Sequence, residues 1–136
     1  FDAMKILLDE DVSALTDVTG YGLAGHLAEI LRASGCGASL ELNSIPFLPG
    51  SPSLVASGYT SSLQDSNEQV LFKFELKNGL TMSVPELRLL ADPQTAGGLL
   101  AAVPAENVNR CLDNLNAVGY TSAYIGGVEE EDWLIY

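Results

Sequence analysis

Positive charge is what this chain has least of. Six lysines and arginines stand against eighteen aspartates and glutamates in 136 residues, a formal net charge of −12 at pH 7. A surface of that sign repels a phosphate backbone, which argues against nucleic acid as a partner. Histidine occurs once, as His26, and cysteine twice, as Cys36 and Cys111. The cysteines lack metal-ligand spacing. Cys36 lies between glycines and Cys111 on the apolar side of a predicted helix, so both read as reduced thiols and neither as a nucleophile. No apolar run approaches the roughly 20 residues of a membrane-spanning helix. No charged leader with an apolar core opens the chain, so no signal peptide is expected. The first residue is Phe1, not Met, and we expect a piece cut from a longer polypeptide.

Apolar residues make up 47% of the chain and charged residues 18%, the balance of a globular protein with a real core, and the length fits one domain. Helical and extended patterns alternate. Residues 2–9 read as a short helix and 12–18 as a strand. A 3.6-residue repeat of Leu23, Leu27, Ile30 and Leu31 predicts a helix over 20–34, stopped at Gly35. Ala38, Leu40 and Leu42 alternate with Ser39 and Glu41, which predicts a half-buried strand over 37–42. A short helix over 52–57 follows. The alternation of Val70, Phe72, Phe74 and Leu76 predicts a strand over 68–77, closed by an Asn78-Gly79 turn. Residues 84–91 read as a helix with Pro85 in its first turn, and 98–103 as a strand. Residues 104–118 read as a helix from Pro104 to Gly119, with Val108, Cys111, Leu112, Leu115 and Val118 on one face. Strands over 121–128 and 133–136 close the chain. No regular βαβ repeat emerges, so the fold class is α+β, with helices packed on a mixed β-sheet. The acidic run Glu129–Asp132 reads as a solvated turn.

Two segments carry chemistry. In Leu15-Thr16-Asp17-Val18-Thr19-Gly20-Tyr21-Gly22-Leu23, an apolar strand delivers one carboxylate, and a threonine and two glycines then lead into a helix. A helix N-terminus offers unpaired N–H groups and partial positive charge to an anion. Glycine lets backbone approach a ligand. A single Asp is an adequate protein ligand for Mg²⁺ that also holds phosphate oxygens. The same residues also read as a βα turn with Thr19 as N-cap and glycines that pack the helix. The second segment, Ala91-Asp92-Pro93-Gln94-Thr95-Ala96-Gly97-Gly98-Leu99-Leu100, joins a turn-forming Asp-Pro to a Gly-Gly and an apolar strand.

In order and separation, the two segments resemble the selenophosphate synthetases (selenide, water dikinases), whose C-terminal domain reads Thr-Asp-Val-Thr-Gly-Phe-Gly-Leu and Asp-Pro-Gln-Thr-Ser-Gly-Gly-Leu. Tyr21 replaces the Phe and Ala96 the Ser. Ile45-Pro46-Phe47-Leu48-Pro49-Gly50 and Tyr124-Ile125-Gly126-Gly127-Val128 extend the resemblance to almost the whole chain. It implies a fold like the C-terminal domain of aminoimidazole ribonucleotide synthetase-type proteins. It also implies a cytoplasmic enzyme that converts ATP, selenide and water to selenophosphate, AMP and phosphate. The nucleophilic Cys or selenocysteine, an essential lysine and most Mg²⁺-binding aspartates belong to an N-terminal catalytic domain that is absent here. No catalytic residue is therefore assigned to this chain, which is expected to be inactive alone. The resemblance also implies that the parent is a homodimer.

Carried over residue by residue, the resemblance makes Asp17 the metal ligand. Thr16, Thr19, Gly20, Gly22 and Asn67 become candidates for binding the nucleotide. The threonine hydroxyls would cap the helix or orient a ligand water, and the glycines would allow backbone approach. Asp92, Gln94, Thr95, Gly97 and Gly98 would shape the wall facing the absent domain, or simply form a tight turn before a core strand. His26, within Gly-His-Leu, reads as a packing or hydrogen-bonding residue, with general base or metal ligand as the alternative. Residues 58–67 lack the arginine that many members carry there, which removes a bidentate phosphate clamp and leaves either a phosphate contact through Asn67 or a polar surface loop. The Ser-Ser-Leu-Gln version resembles the branch fused behind a flavin- and NADH-dependent oxidoreductase, which implies FAD and NADH upstream. Two other readings stay open. One is a non-catalytic binding or regulatory module of the same fold. The other is another member of the superfamily: hydrogenase maturation, thiamine-phosphate kinase or purine synthesis.

Overall fold

Two separate sheets, not one, organise the chain in the computed structural model, which describes residues 2–136. The helix α1 (Asp2–Leu8) leads into β1 (Ala14–Asp17) and α2 (Gly22–Ser34). After β2 (Gly37–Leu40) come three short helices: α3 (Ser51–Ala56), α4 (Gln64–Asn67) and, beyond β3 (Glu75–Leu76), α5 (Pro85–Leu89). The chain closes with β4 (Leu99–Ala102), α6 (Val108–Ala117), β5 (Gly126–Glu129) and β6 (Trp133–Ile135). Among the described residues β1 pairs only with β4, antiparallel, with Asp17 opposite Leu99. The other sheet runs β3-β6-β2-β5, with parallel pairs β3–β6 and β6–β2 and an antiparallel pair β2–β5. The predicted α+β class holds, and the mixed sheet is this four-stranded one.

The larger core cluster joins Ala24, Leu27 and Leu31 of α2 to Ala38, Leu40 and Ile135 of the four-stranded sheet, and to Leu87, Leu90 and Ala91 around α5. The smaller one joins Leu7 of α1 to Cys111 and Leu115 of α6, with Leu15 and Ala101 of the β1–β4 ribbon against them. Leu100, pointing the other way from Ala101 by strand alternation, packs against the larger cluster. The ribbon is therefore wedged between both cores. Burial pushes the Cys111 thiol up, away from a reactive thiolate.

The helix stops are where the glycines predict them. Gly35 takes the left-handed conformation at φ 65° and donates to the Leu31 carbonyl, and Gly119 follows α6 at φ 89°. Asn78 and Gly79 both have positive φ, but the turn they make leads out of β3 and not into a hairpin partner, since β3 pairs with β6. The predicted strand over 68–77 is mostly wrong. Residues 68–73 form a 3₁₀ helix and only Glu75–Leu76 are extended. Three residues per turn put Glu68, Leu71 and Phe74 on the inner side and leave Phe72 outside. The apolar alternation was fortuitous. The strand predicted over 121–128 shrinks to its end, 126–129, and Val118 is exposed instead of lying on the buried face of α6. Glu129–Asp132 is exposed where β5 turns into β6, as expected.

Candidate functional site

The two motifs are zipped together along their backbones. Beyond the β1–β4 ladder, Val18 N–H donates to the Gly98 carbonyl at 2.9 Å and Gln94 N–H to the Thr19 carbonyl at 3.0 Å. A Cβ on Gly97 would run into the Val18 carbonyl oxygen, so only glycine lets the strands close there. On the other side, Ala24 N–H donates to the Leu90 carbonyl at 2.8 Å. Gly22, at φ +70°, presses against the same stretch: an added Cβ would stand 2.7 Å from Leu90 O and Ala91 C. Asn67 ties the joint, its side-chain amide donating to Gly20 O at 2.9 Å and Ala91 O at 3.1 Å.

This arrangement corrects several expectations. Gly22 is buried against its own chain and offers no approach to a ligand, whereas Gly20 is exposed with nothing within 4 Å of where a Cβ would be. The N-terminus of α2 is less open to an anion than its position suggests, because Gly22 N–H is taken by Thr19 O and Ala24 N–H by Leu90 O. Thr19 does not cap α2. The residue at the cap is Tyr21, without a side-chain cap bond, and the Thr19 hydroxyl instead meets His26 Nε2 at 3.0 Å. Thr16 donates to the Asp17 carbonyl at 3.1 Å and caps nothing either. In the second motif, Gln94 Nε2 donates to the Asp92 carboxylate at 2.7 Å, which makes Asp92 and Gln94 a locally closed turn. Thr95 and Ala96 are exposed.

Asp17 stands at the exposed end of β1, and its carboxylate has no hydrogen bond or ion pair among the described residues. Unpaired hard oxygen is the donor type Mg²⁺ takes. Among the described residues no group of three or more His, Cys, Asp or Glu gathers to hold a metal, so the fit is that of one ligand and not of a complete cage. Two surface depressions of about 430 and 280 Å³ have linings that contain no residue of either motif. Asp17 lines neither of them.

The sequence reading missed the neighbours of His26. Nδ1 lies 3.3 Å from the Glu29 carboxylate, and the Tyr21 ring sits 5.7 Å away, centroid to centroid. The His26–Glu29 spacing of i, i+3 on a predicted helix was the signal available. It also missed Glu10, 2% exposed, whose carboxylate takes Arg110 Nε at 2.9 Å and Asn114 Nδ2 at 3.2 Å.

With this fold and joint, the chain belongs to the family described as AIR synthase related protein, C-terminal domain, which matches residues 1–134. Among individual proteins, it is 43% identical over 119 residues to a selenide, water dikinase of Myxococcus xanthus (strain DK1622), covering 87% of this chain and 33% of that protein. It is 38% identical over 121 residues to that of Rhizobium meliloti (strain 1021), covering 88% and 34%. The chain thus spans about a third of the length of these relatives. The crystal structure of E. coli HypE, a hydrogenase maturation protein, superposes with a TM-score of 0.64 over 98% of this chain and 35% of the other, at 22% identity, a likeness of fold. Among the described residues no helix is long and apolar enough to cross a membrane.

Proposed function

We propose that this chain is the C-terminal part of an ATP-dependent selenide, water dikinase, which turns ATP, selenide and water into selenophosphate, AMP and phosphate. In that reading Asp17 supplies one carboxylate to a Mg²⁺-nucleotide site completed by an N-terminal catalytic domain. The observation that carries it is the Asp17 carboxylate itself: exposed, unpaired, and fixed by the backbone joint between the two motifs. Mg²⁺ would supply charge neutralisation on the polyphosphate. The chain's own contribution is placement. Gly20 leaves room beside Asp17, the Thr19 oxygen sits two residues on, and Thr16, Gly22 and Asn67 hold the turn in shape. An exposed, unpaired acid that lines neither depression suits a half-site that closes against another lobe. The surrounding charge of −12 favours a nucleotide that arrives with its cation.

Cytoplasmic location and a homodimeric parent follow from the same reading. An upstream flavin- and NADH-dependent domain gains no support from it, since the relatives named above are dikinases by name alone. The test is Asp17→Asn in the full-length protein, with selenophosphate followed by phosphorus NMR in the presence of ATP, selenide and Mg²⁺. Loss of turnover of about 100-fold or more, with unchanged thermal unfolding, is expected for a charge-stabilising ligand. Near-normal turnover would favour a non-catalytic module of the same fold.

A further inference from the structure

Charge is missing from the surface around Asp17. Across residues 12–28 and 93–105, Asp17 is the only Asp, Glu, Lys or Arg, in a chain of which 18% is charged. Buried positions such as Ala24 and Leu27 account for part of this. They do not account for Gly20, Tyr21, Thr95, Ala96 and Leu99, which are exposed around the same joint and carry no charge. We infer that this face is the docking surface for the N-terminal part of the longer polypeptide, with Leu99 and Tyr21 as its apolar anchors and Asp17 as the one charge set among them. The inference rests on the reading of the chain as the C-terminal part of a dikinase, and it names the surface against which the other part closes the site.

The fold assembles this face from two segments distant in sequence. Asp17 stands opposite Leu99 in the β1–β4 ladder, so the two side chains leave the ribbon on one face with their Cβ atoms about 5 Å apart. The bonds from Val18 N–H to Gly98 O and from Gln94 N–H to Thr19 O carry the pairing on into the turns that hold Gly20, Tyr21, Thr95 and Ala96. Leu99 is 40% exposed and Tyr21 60%. Exposed apolar side chains scattered singly are ordinary. A tyrosine and a leucine in a stretch emptied of charge have the composition of the centre of an interface. A carboxylate enclosed there needs a cation to offset its lost hydration, which is the role already proposed for Mg²⁺. The occupant follows from length and charge. The chain spans about a third of the length of its relatives, which leaves the larger part of such a polypeptide to cover the face. A second copy of this chain is the poorer partner, because each copy carries a net charge of −12.

Hydroxyl-radical footprinting of the full-length protein, read by mass spectrometry, tests this by comparing residues of one kind, which cancels intrinsic reactivity. From exposure in this chain alone, Tyr21 would oxidise nearly as fast as Tyr59, which is 72% exposed, and Leu99 nearly as fast as Leu54, at 54%. In the full-length protein Tyr21 and Leu99 are expected to lose most of their oxidation relative to Tyr59 and Leu54. Parity within either pair overturns the inference. Leu99→Asp, which adds a second carboxylate to the face, should bring Tyr21 back to the level of Tyr59, and continued protection of Tyr21 overturns the role of Leu99. If Leu99→Asp does not fold, Leu99→Ser must raise Tyr21 oxidation or the inference fails. Asp17→Asn keeps the two levels apart. A protected Tyr21 together with normal turnover in Asp17→Asn upholds the docking surface and sinks the cation ligand. Tyr21 oxidised at the rate of Tyr59, with Asp17→Asn inactive, sinks the docking surface and leaves the cation ligand standing.

Discussion

Glycines that look alike in the sequence do different work. Gly20 and Gly22 both follow the strand and both suggested room for a ligand, yet only Gly20 has that room. Gly22 combines a left-handed backbone with contact against Leu90 and Ala91. Gly22→Ala is therefore expected to cost about 1–3 kcal/mol, while Gly20→Ala should change stability by no more than about 0.5 kcal/mol. Urea unfolding of the two variants tests the contrast, and equal costs would mean that the joint is looser than it looks. Asp17 was legible as a candidate because a lone acid between an apolar strand and a glycine turn is an unusual place for a charge. What Thr19 does was not legible. A threonine before a helix reads as a cap, and the competing partner, His26, comes a full seven residues later.

At the scale of elements, two polar brackets hold pieces far apart in sequence. Asn67 joins α4 to the first motif and to the end of α5 through two backbone carbonyls. Asn67→Ala leaves both without their donor, and a loss of roughly 1–2 kcal/mol is expected, with faster hydrogen exchange at 17–20 and 91–98 as the local readout. The sequence placed Asn67 in a polar loop with a phosphate contact as one option. Its amide instead serves the turn, which only the approach of 20 and 91 makes possible. Glu10 is the second bracket, binding the exit of α1 to α6 through Arg110 and Asn114, with its carbonyl taken by Asn107. The Arg110 hydrogen bond holds the Glu10 carboxyl below its ordinary range, against the opposing effect of burial, and the Arg110 charge and Asn114 reinforce it. A lowered folded value means that the unfolded chain takes the proton more readily. The stabilisation is thus fully present above about pH 4.5 and fades as the pH falls through the depressed folded value. Wild type should exceed Glu10→Gln in urea midpoint at pH 7, and the gap should narrow below pH 4. A gap that stays constant with pH would show that packing, not charge, holds this corner.

For the whole molecule, a net charge of −12 is a standing self-repulsion that salt screens. The thermal midpoint should rise from low to molar sodium chloride, as differential scanning calorimetry can follow. A fall would mean that bridges such as Arg110–Glu10 outweigh the general repulsion. The chain that carries this charge spans about a third of the length of its relatives. The sequence by itself determined the α+β class, the ends of α2 and α6 and the family, because side-chain periodicity, helix-stopping glycines and two long motifs are local properties. Tertiary structure alone decided that the strands split into two sheets, that residues 68–73 coil instead of extending, and that Gly22, Thr19 and Asn67 turn inward to the protein while Asp17 and Gly20 stay open. Each of those depends on which distant carbonyl, ring or side chain reaches a residue first, and that competition between partners is settled only when the chain has closed on itself.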